Sequence, residues 1–118
     1  MPARNEELLV SRAISSVPKN VDCLIVVDDG SIDSTAEVAN FSLNEWSSNR
    51  SVITRCISGR GEGVGAAIYL GIHHLSEIVE NPDEWCVVVM AGDAQMDPAD
   101  LPILISKLDD VDHVKGNR

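Results

Sequence analysis

Two acidic turns, each closing a short apolar run, constrain this chain more than any other feature. Asp28-Asp29-Gly30-Ser31-Ile32-Asp33-Ser34-Thr35 follows Cys23-Leu24-Ile25-Val26-Val27, and Gly92-Asp93-Ala94-Gln95-Met96-Asp97-Pro98 follows Trp85-Cys86-Val87-Val88-Val89-Met90. Short β-branched runs bounded by turn residues read as parallel strands covered on both faces. The segments between them have helical spacing, so the chain alternates α-β-α-β-α-β-α-β. That order predicts a parallel sheet with helices on both faces. In such open sheets the ligand crevice lies at the carboxyl ends of the strands. Both turns are therefore expected to line one cleft, with carboxylates converging where a metal ion or a ribose would sit.

Residues 6–16 carry Leu8, Leu9, Ala13 and Ile14 at helical spacing, with Pro18 marking the exit. A strand over 22–27 follows. Ser34 or Thr35 can cap the next helix, which carries Ala36, Val38, Ala39, Phe41 and Leu43 and ends near Trp46; the next strand covers 51–57. Ser58 to Gly65 form a flexible loop into a helix with Ile68, Ile72, Leu75 and Val79 on one face. Asn81-Pro82-Asp83 ends that helix, and a strand covers 85–90. Asp97 is a strong N-cap, with Pro98 at N1 and Asp100 at N3. Its helix runs through Leu101, Ile103, Leu104 and Leu108, and a last strand starts at Asp112. No strand precedes the first helix, and the expectation is one partial domain, 1–118, cut from the middle of a larger fold.

The formal net charge is −10, which argues against a nucleic-acid partner, since phosphates need a basic face. It leaves room for a nucleotide, because a divalent cation can bridge an acidic cleft to a diphosphate. The start of the chain has no signal-peptide pattern and no apolar run is long enough to cross a bilayer, so a cytoplasmic, reducing setting is expected. Cys23, Cys56 and Cys86 all fall in predicted strands, lack metal-type spacing and are expected to be buried, reduced and inert.

Each motif has a bland reading beside the functional one. Asp28-Asp29-Gly30-Ser31 could be a polar turn. A plain turn, however, does not need two adjacent carboxylates at a buried strand's end and a third at Asp33. Such carboxylates accept hydrogen bonds from a ribose or a base N–H. Asp97 is explained as a helix cap, whereas Asp93 and Gln95 have no such duty. A carboxylate and an amide oxygen two residues apart suit a hard cation that keeps waters and takes its other ligands from phosphates. An EF-hand is excluded, because Pro98 and Leu104 stand where it needs glycine and glutamate. Gly61-Glu62-Gly63-Val64-Gly65-Ala66 fits the dinucleotide pattern G-x-G-x-x-A, but no acid follows at the required distance. His73 and His74 point about 100° apart on a helix and do not share a metal easily.

Taken in order, Pro2-Ala3-Arg4-Asn5-Glu6-Glu7, Val27 to Thr35, Gly63-Val64-Gly65-Ala66-Ala67-Ile68, Met90 to Pro98 and Lys115-Gly116-Asn117-Arg118 resemble the nucleotide-binding half of a family 2 glycosyltransferase of the Rossmann-like GT-A fold. The nearest likeness is to the dolichyl- or polyprenyl-phosphate sugar transferases. The resemblance implies transfer of a sugar from a nucleotide-diphosphate sugar, with inversion, to an acceptor such as a lipid phosphate. It assigns Pro2, Arg4, Asn5, Glu6, Asp28, Asp29, Gly65 and Asp93 to the nucleotide, and Asp93 and Gln95 to Mg²⁺ or Mn²⁺. Asp93 would act catalytically through that metal, which offsets charge on the departing nucleoside diphosphate. A lipid phosphate is already an anionic nucleophile and needs no strong base. Ala91 departs from the pattern, standing where the acidic motif usually has its first Asp. The resemblance also implies that the first strand and the acceptor half, with any membrane-anchoring helices, lie outside these residues. Two other readings compete: a receiver-like signalling domain using Asp93 and Lys115, and a dinucleotide-binding oxidoreductase fragment built on the glycine loop.

Overall fold

The computed structural model describes residues 1–109 and 111–116. Strands β1 (Pro2–Ala3), β2 (Cys23–Asp28) and β3 (Ile53–Ser58) alternate with helices α1 (Val10–Ser16), α2 (Thr35–Ser47) and α3 (Val64–Ser76). Helix α4 (Leu101–Ile105) follows, with single 3-10 turns at Pro82–Glu84 and Pro98–Asp100. The sheet is parallel, in the order β1-β2-β3. Strand β2 pairs with β3 along its whole length, from Cys23 opposite Ile53 to Asp28 opposite Ser58. With β1 it pairs only at Val27 and Asp28.

The apolar run of β2 has the reason expected of it: both of its faces are covered. Leu24 and Val26 point into a core with Val10 and Ile14 of α1 and Ala39, Leu43 and Trp46 of α2. Ile25 and Val27 point the other way, onto Ala67 with Leu70 and Leu75 of α3. The result is the expected Rossmann-like α/β arrangement, with helices on both sides of a parallel sheet. Trp46 is sealed in by its indole N–H, which donates to the Val17 carbonyl at 3.0 Å. The Arg50 guanidinium lies 4.1 Å from its ring centroid.

Several expectations need correction. The first helix is shorter than expected, starting at Val10 and leaving Leu8 exposed. A two-residue strand, β1, does precede it. In α3 the face toward the sheet carries Ala67, Leu70 and Leu75, while Ile72 is 46% exposed. The reason is Gly71, where a Cβ would stand 3.2 Å from Val27 Cγ2; the helix rests its bare backbone on the sheet there. In α2 the buried set is Thr35, Ala39, Ser42, Leu43 and Trp46, which leaves Phe41 outside.

Residues 85–90 form no strand, and Val87, Val88 and Val89 are half exposed. The sheet edge formed by β1 is only two residues long, and its bond goes to the turn beyond this segment, from the Gly92 N–H to the Pro2 carbonyl at 2.9 Å. Cys86 is consequently exposed instead of buried. Cys23 and Cys56 are partly buried, and burial pushes both thiols up from their ordinary value, which keeps them protonated and unreactive. The strand expected from Asp112 is absent from residues 111–116. Asn117 and Arg118, the end of the last matched motif, lie outside the described residues. No helix among the described residues is long and apolar enough to cross a membrane.

Candidate functional site

Because the sheet is parallel, the loops after β1 and β2 and the glycine loop after β3 all emerge at one edge. The first two are laced together. The Asn5 amide donates to Ser31 Oγ at 2.9 Å, and Asn5 Oδ1 accepts from the Ile32 N–H at 3.0 Å. The Glu6 amide donates to Thr35 Oγ1 at 2.7 Å, and Glu7 Oε2 accepts from the Ser34 N–H at 3.0 Å. Asn5 reaches this geometry with φ of 54°, a left-handed conformation that Asn tolerates better than most residues. Asp33 Oδ1 accepts from both the amide and the hydroxyl of Thr35. The Thr35 hydroxyl is the main reason Asp33 stays ionised below the ordinary carboxylate value.

Asp29 ties in the glycine loop. The residue is 3% exposed, and its carboxylate accepts three consecutive amides: Gly61 at 2.9 Å and Glu62 at 3.2 Å on Oδ1, and Gly63 at 2.8 Å on Oδ2. Gly61 and Gly63 hold φ of 75° and 97°, which turns the amides of this loop inward as an anion nest. The anion is supplied by the protein itself. The amides of Gly61, Glu62 and Gly63 in the G-x-G-x-x-A pattern are thus already taken by the protein, which weakens the dinucleotide reading.

The second acidic turn reaches the same edge. At Gly92 a Cβ would stand 2.8 Å from Ala3 Cβ, so only glycine allows this close approach to β1. Asp93 follows, its Oδ1 accepting from the Gln95 N–H at 3.0 Å across Ala94, which has φ of 55°. A cleft of about 250 Å³ opens between these parts. Its walls are Pro2, Ala3, Arg4 and Glu6 on one side, Asp29, Gly63 and Val64 on another, and Ala91, Gly92 and Asp93 on the third.

Five of the residues expected at the site thus share one cleft: Pro2, Arg4, Glu6, Asp29 and Asp93. Asn5 spends its side chain on lacing the loops. Asp28 is buried at the end of β2, where Oδ1 receives the Ser31 amide at 3.4 Å. Gly65 opens α3 with free space where a Cβ would go. Gln95 lines a neighbouring hollow of about 290 Å³ with Arg12, Ser16 and Met96. Sequence reasoning missed Gly63, Val64, Gly92 and Thr35 as site-shaping residues. The glycine beside each acidic or helical motif was the available signal.

Arg4 is the only cation among the residues lining the cleft, against the carboxylates of Glu6, Asp29 and Asp93. Arg4 Nη1 lies 3.5 Å from the Gly61 carbonyl. Among the described residues no group of three or more His, Cys, Asp or Glu forms a metal cage. A lone Asp93 at a solvent-open cleft fits a cation bound as Mg²⁺ often is, by one carboxylate with water and phosphate oxygens. Gln95, facing the other hollow, does not join it in this arrangement. His73 and His74 sit away from the site on α3, with Nδ1 atoms 3.7 and 3.5 Å from the carboxylate of Glu77.

The fold and the cleft at its strand ends define a Rossmann-like α/β domain of the kind that carries ligands at its carboxyl edge. The family model for glycosyl transferase family 2 matches residues 1–118, and the chain belongs to that family. It therefore sits among the glycosyltransferases, a family that binds nucleotide-sugar donors, and not among receiver domains or oxidoreductases. No curated protein and no solved structure matches it significantly.

Proposed function

We propose that the cleft holds the nucleoside-diphosphate part of a sugar donor and that the chain contributes this half of an inverting sugar transfer. The observation that carries the reading is the convergence of Arg4, Glu6, Asp29 and Asp93 from three separate loops on one cleft. At about 250 Å³ the cleft lies just below the usual range of ligand pockets, roughly 300–1,000 Å³. It suits part of a donor, with the sugar projecting outward.

Among the residues lining the cleft the carboxylates of Glu6, Asp29 and Asp93 outnumber one guanidinium, which disfavours a bare diphosphate. A divalent cation, Mg²⁺ or Mn²⁺, would reverse that sign, and Asp93 would be its protein ligand. When bound, such a cation stabilises negative charge developing on the leaving diphosphate. Arg4 supplies a positive charge on another wall, and the lacing between the loops after β1 and β2 orders that side before the donor arrives. The acceptor class that fits is a lipid phosphate, an anionic nucleophile that needs no proton removed.

Calorimetric titration of the chain with UDP and with GDP tests this, each with and without Mn²⁺. Binding of one nucleotide that requires the metal and is lost in Asp93→Ala is expected. Equal binding without metal, or unchanged binding in Asp93→Ala, contradicts the proposed role of Asp93.

A further inference from the structure

Resting on that reading, we infer that Gly92 is a positioning residue: its seat against Ala3 sets how Asp93 stands relative to Arg4 across the cleft. Arg4 follows Ala3 and Asp93 follows Gly92 in the chain, and both charged residues line the cleft. The seat is tight. A Cβ on Gly92 would fall 2.8 Å from Ala3 Cβ, with the Pro2 carbonyl oxygen at 3.3 Å and Ala3 Cα at 3.4 Å. A methyl has no rotamer by which to turn aside, and Ala3 is 5% exposed within the first core. The demand for glycine is one of space alone, because the φ of Gly92 lies outside the left-handed region that Gly30, Gly61 and Gly63 occupy. The seat is also a tether. The Gly92 N–H donates to the Pro2 carbonyl at 2.9 Å, and among the described residues no other backbone hydrogen bond ties residues 85–97 to the sheet.

The two sides of the seat differ in stiffness. Strand β2 holds Ala3 in place: the Asp29 N–H donates to the Ala3 carbonyl at 2.9 Å, and the Val27 N–H donates to the Met1 carbonyl at 2.8 Å. The turn is closed on itself by the Gln95 N–H and Asp93 Oδ1, a bond that travels with it. An added methyl at position 92 therefore moves the turn and leaves the strand. Carbon atoms pack at about 3.5–4.0 Å, so the turn retreats by roughly 1 Å. A shift on that scale costs about tenfold or more where two charged groups have to meet one ligand. Gly92 has no side chain to offer a donor and its N–H is already taken. Its part is to place Asp93.

Four full chains test this: wild type, Gly92→Ala, Ala3→Gly and the double variant. Calorimetry with GDP and UDP in Mn²⁺ reads affinity, and backbone amide hydrogen exchange without ligand reads the tether. In Gly92→Ala affinity should fall about tenfold or more, and exchange of the amide at position 92 should rise about fivefold. Adding Ala3→Gly removes the methyl that the new Cβ meets, and both readings should return to within about threefold of wild type. A double variant no better than the product of the two single changes overturns the inference; a methyl that merely blocked the cleft gives that result. Wild-type affinity in Gly92→Ala with raised exchange also overturns it, because the tether would then have no hold on Asp93. If Gly92→Ala does not fold, a folded double variant is the expected rescue, read by circular dichroism, and one that stays unfolded overturns the inference. A wild-type chain that binds neither nucleotide counts against the function proposed above, and exchange across the four chains still decides whether Ala3 and Gly92 are coupled.

Discussion

Asp33 shows how much of this site depends on a single short side chain. Its carboxylate ties the Thr35 hydroxyl and amide to the Glu7 amide, so the β1 and β2 loops share one acceptor. The Thr35 hydroxyl holds the Asp33 carboxyl below its ordinary value of 3.8. A carboxylate with a depressed folded-state value contributes stability that is fully present above its unfolded value. That contribution is lost as pH falls through the lower, folded value. Urea unfolding followed from about pH 5 to about pH 2 should therefore show an acid limb that is shallower in Asp33→Asn. An identical acid slope in the two proteins contradicts the assignment.

Among the elements, α2 and α3 show what the periodicity of a sequence can and cannot give. Both were legible as helices, because the apolar spacing is a local signal; α2 keeps the expected bounds, whereas α3 ends at Ser76, short of Val79 and of the expected stop at Asn81-Pro82-Asp83. Which face turns inward was not. Phe41 and Ile72 look like core residues by spacing, yet they face solvent, because Trp46 and Gly71 set how each helix lies on β2. Trp46 fills the first core between α1, α2 and the sheet. Trp46→Ala should cost about 3–5 kcal/mol, read as a lower midpoint in chemical denaturation. Gly71→Val should cost about 1–3 kcal/mol by forcing α3 off Val27. Gly65→Ala, where a Cβ meets nothing, should leave stability unchanged or raise it by up to about 1 kcal/mol. Equal effects at Gly71 and Gly65 contradict the helix seating described here.

For the whole molecule, the parallel sheet, its helical cover and the common edge were legible, because each rests on a run or turn complete within itself. Residues 85–90 were misread because their β character is real but a strand needs a partner edge, and β1 is only two residues long. Asp29 was legible as important, yet its task was hidden: nothing in Asp28-Asp29 tells which carboxylate turns toward amides 32 to 34 positions away. Membership of glycosyl transferase family 2 gives the chain its enzyme class, and the cleft is where we propose that a donor binds. The central claim is that a cation and a nucleoside diphosphate meet at the Asp93 wall of this cleft. Paramagnetic broadening of backbone amide signals by Mn²⁺ in the presence of GDP or UDP tests it most directly. Broadening centred on Ala91, Gly92 and Asp93 and extending to Ala3 and Glu6 is predicted; broadening centred on His73, His74 and Glu77, with the cleft unaffected, would contradict it.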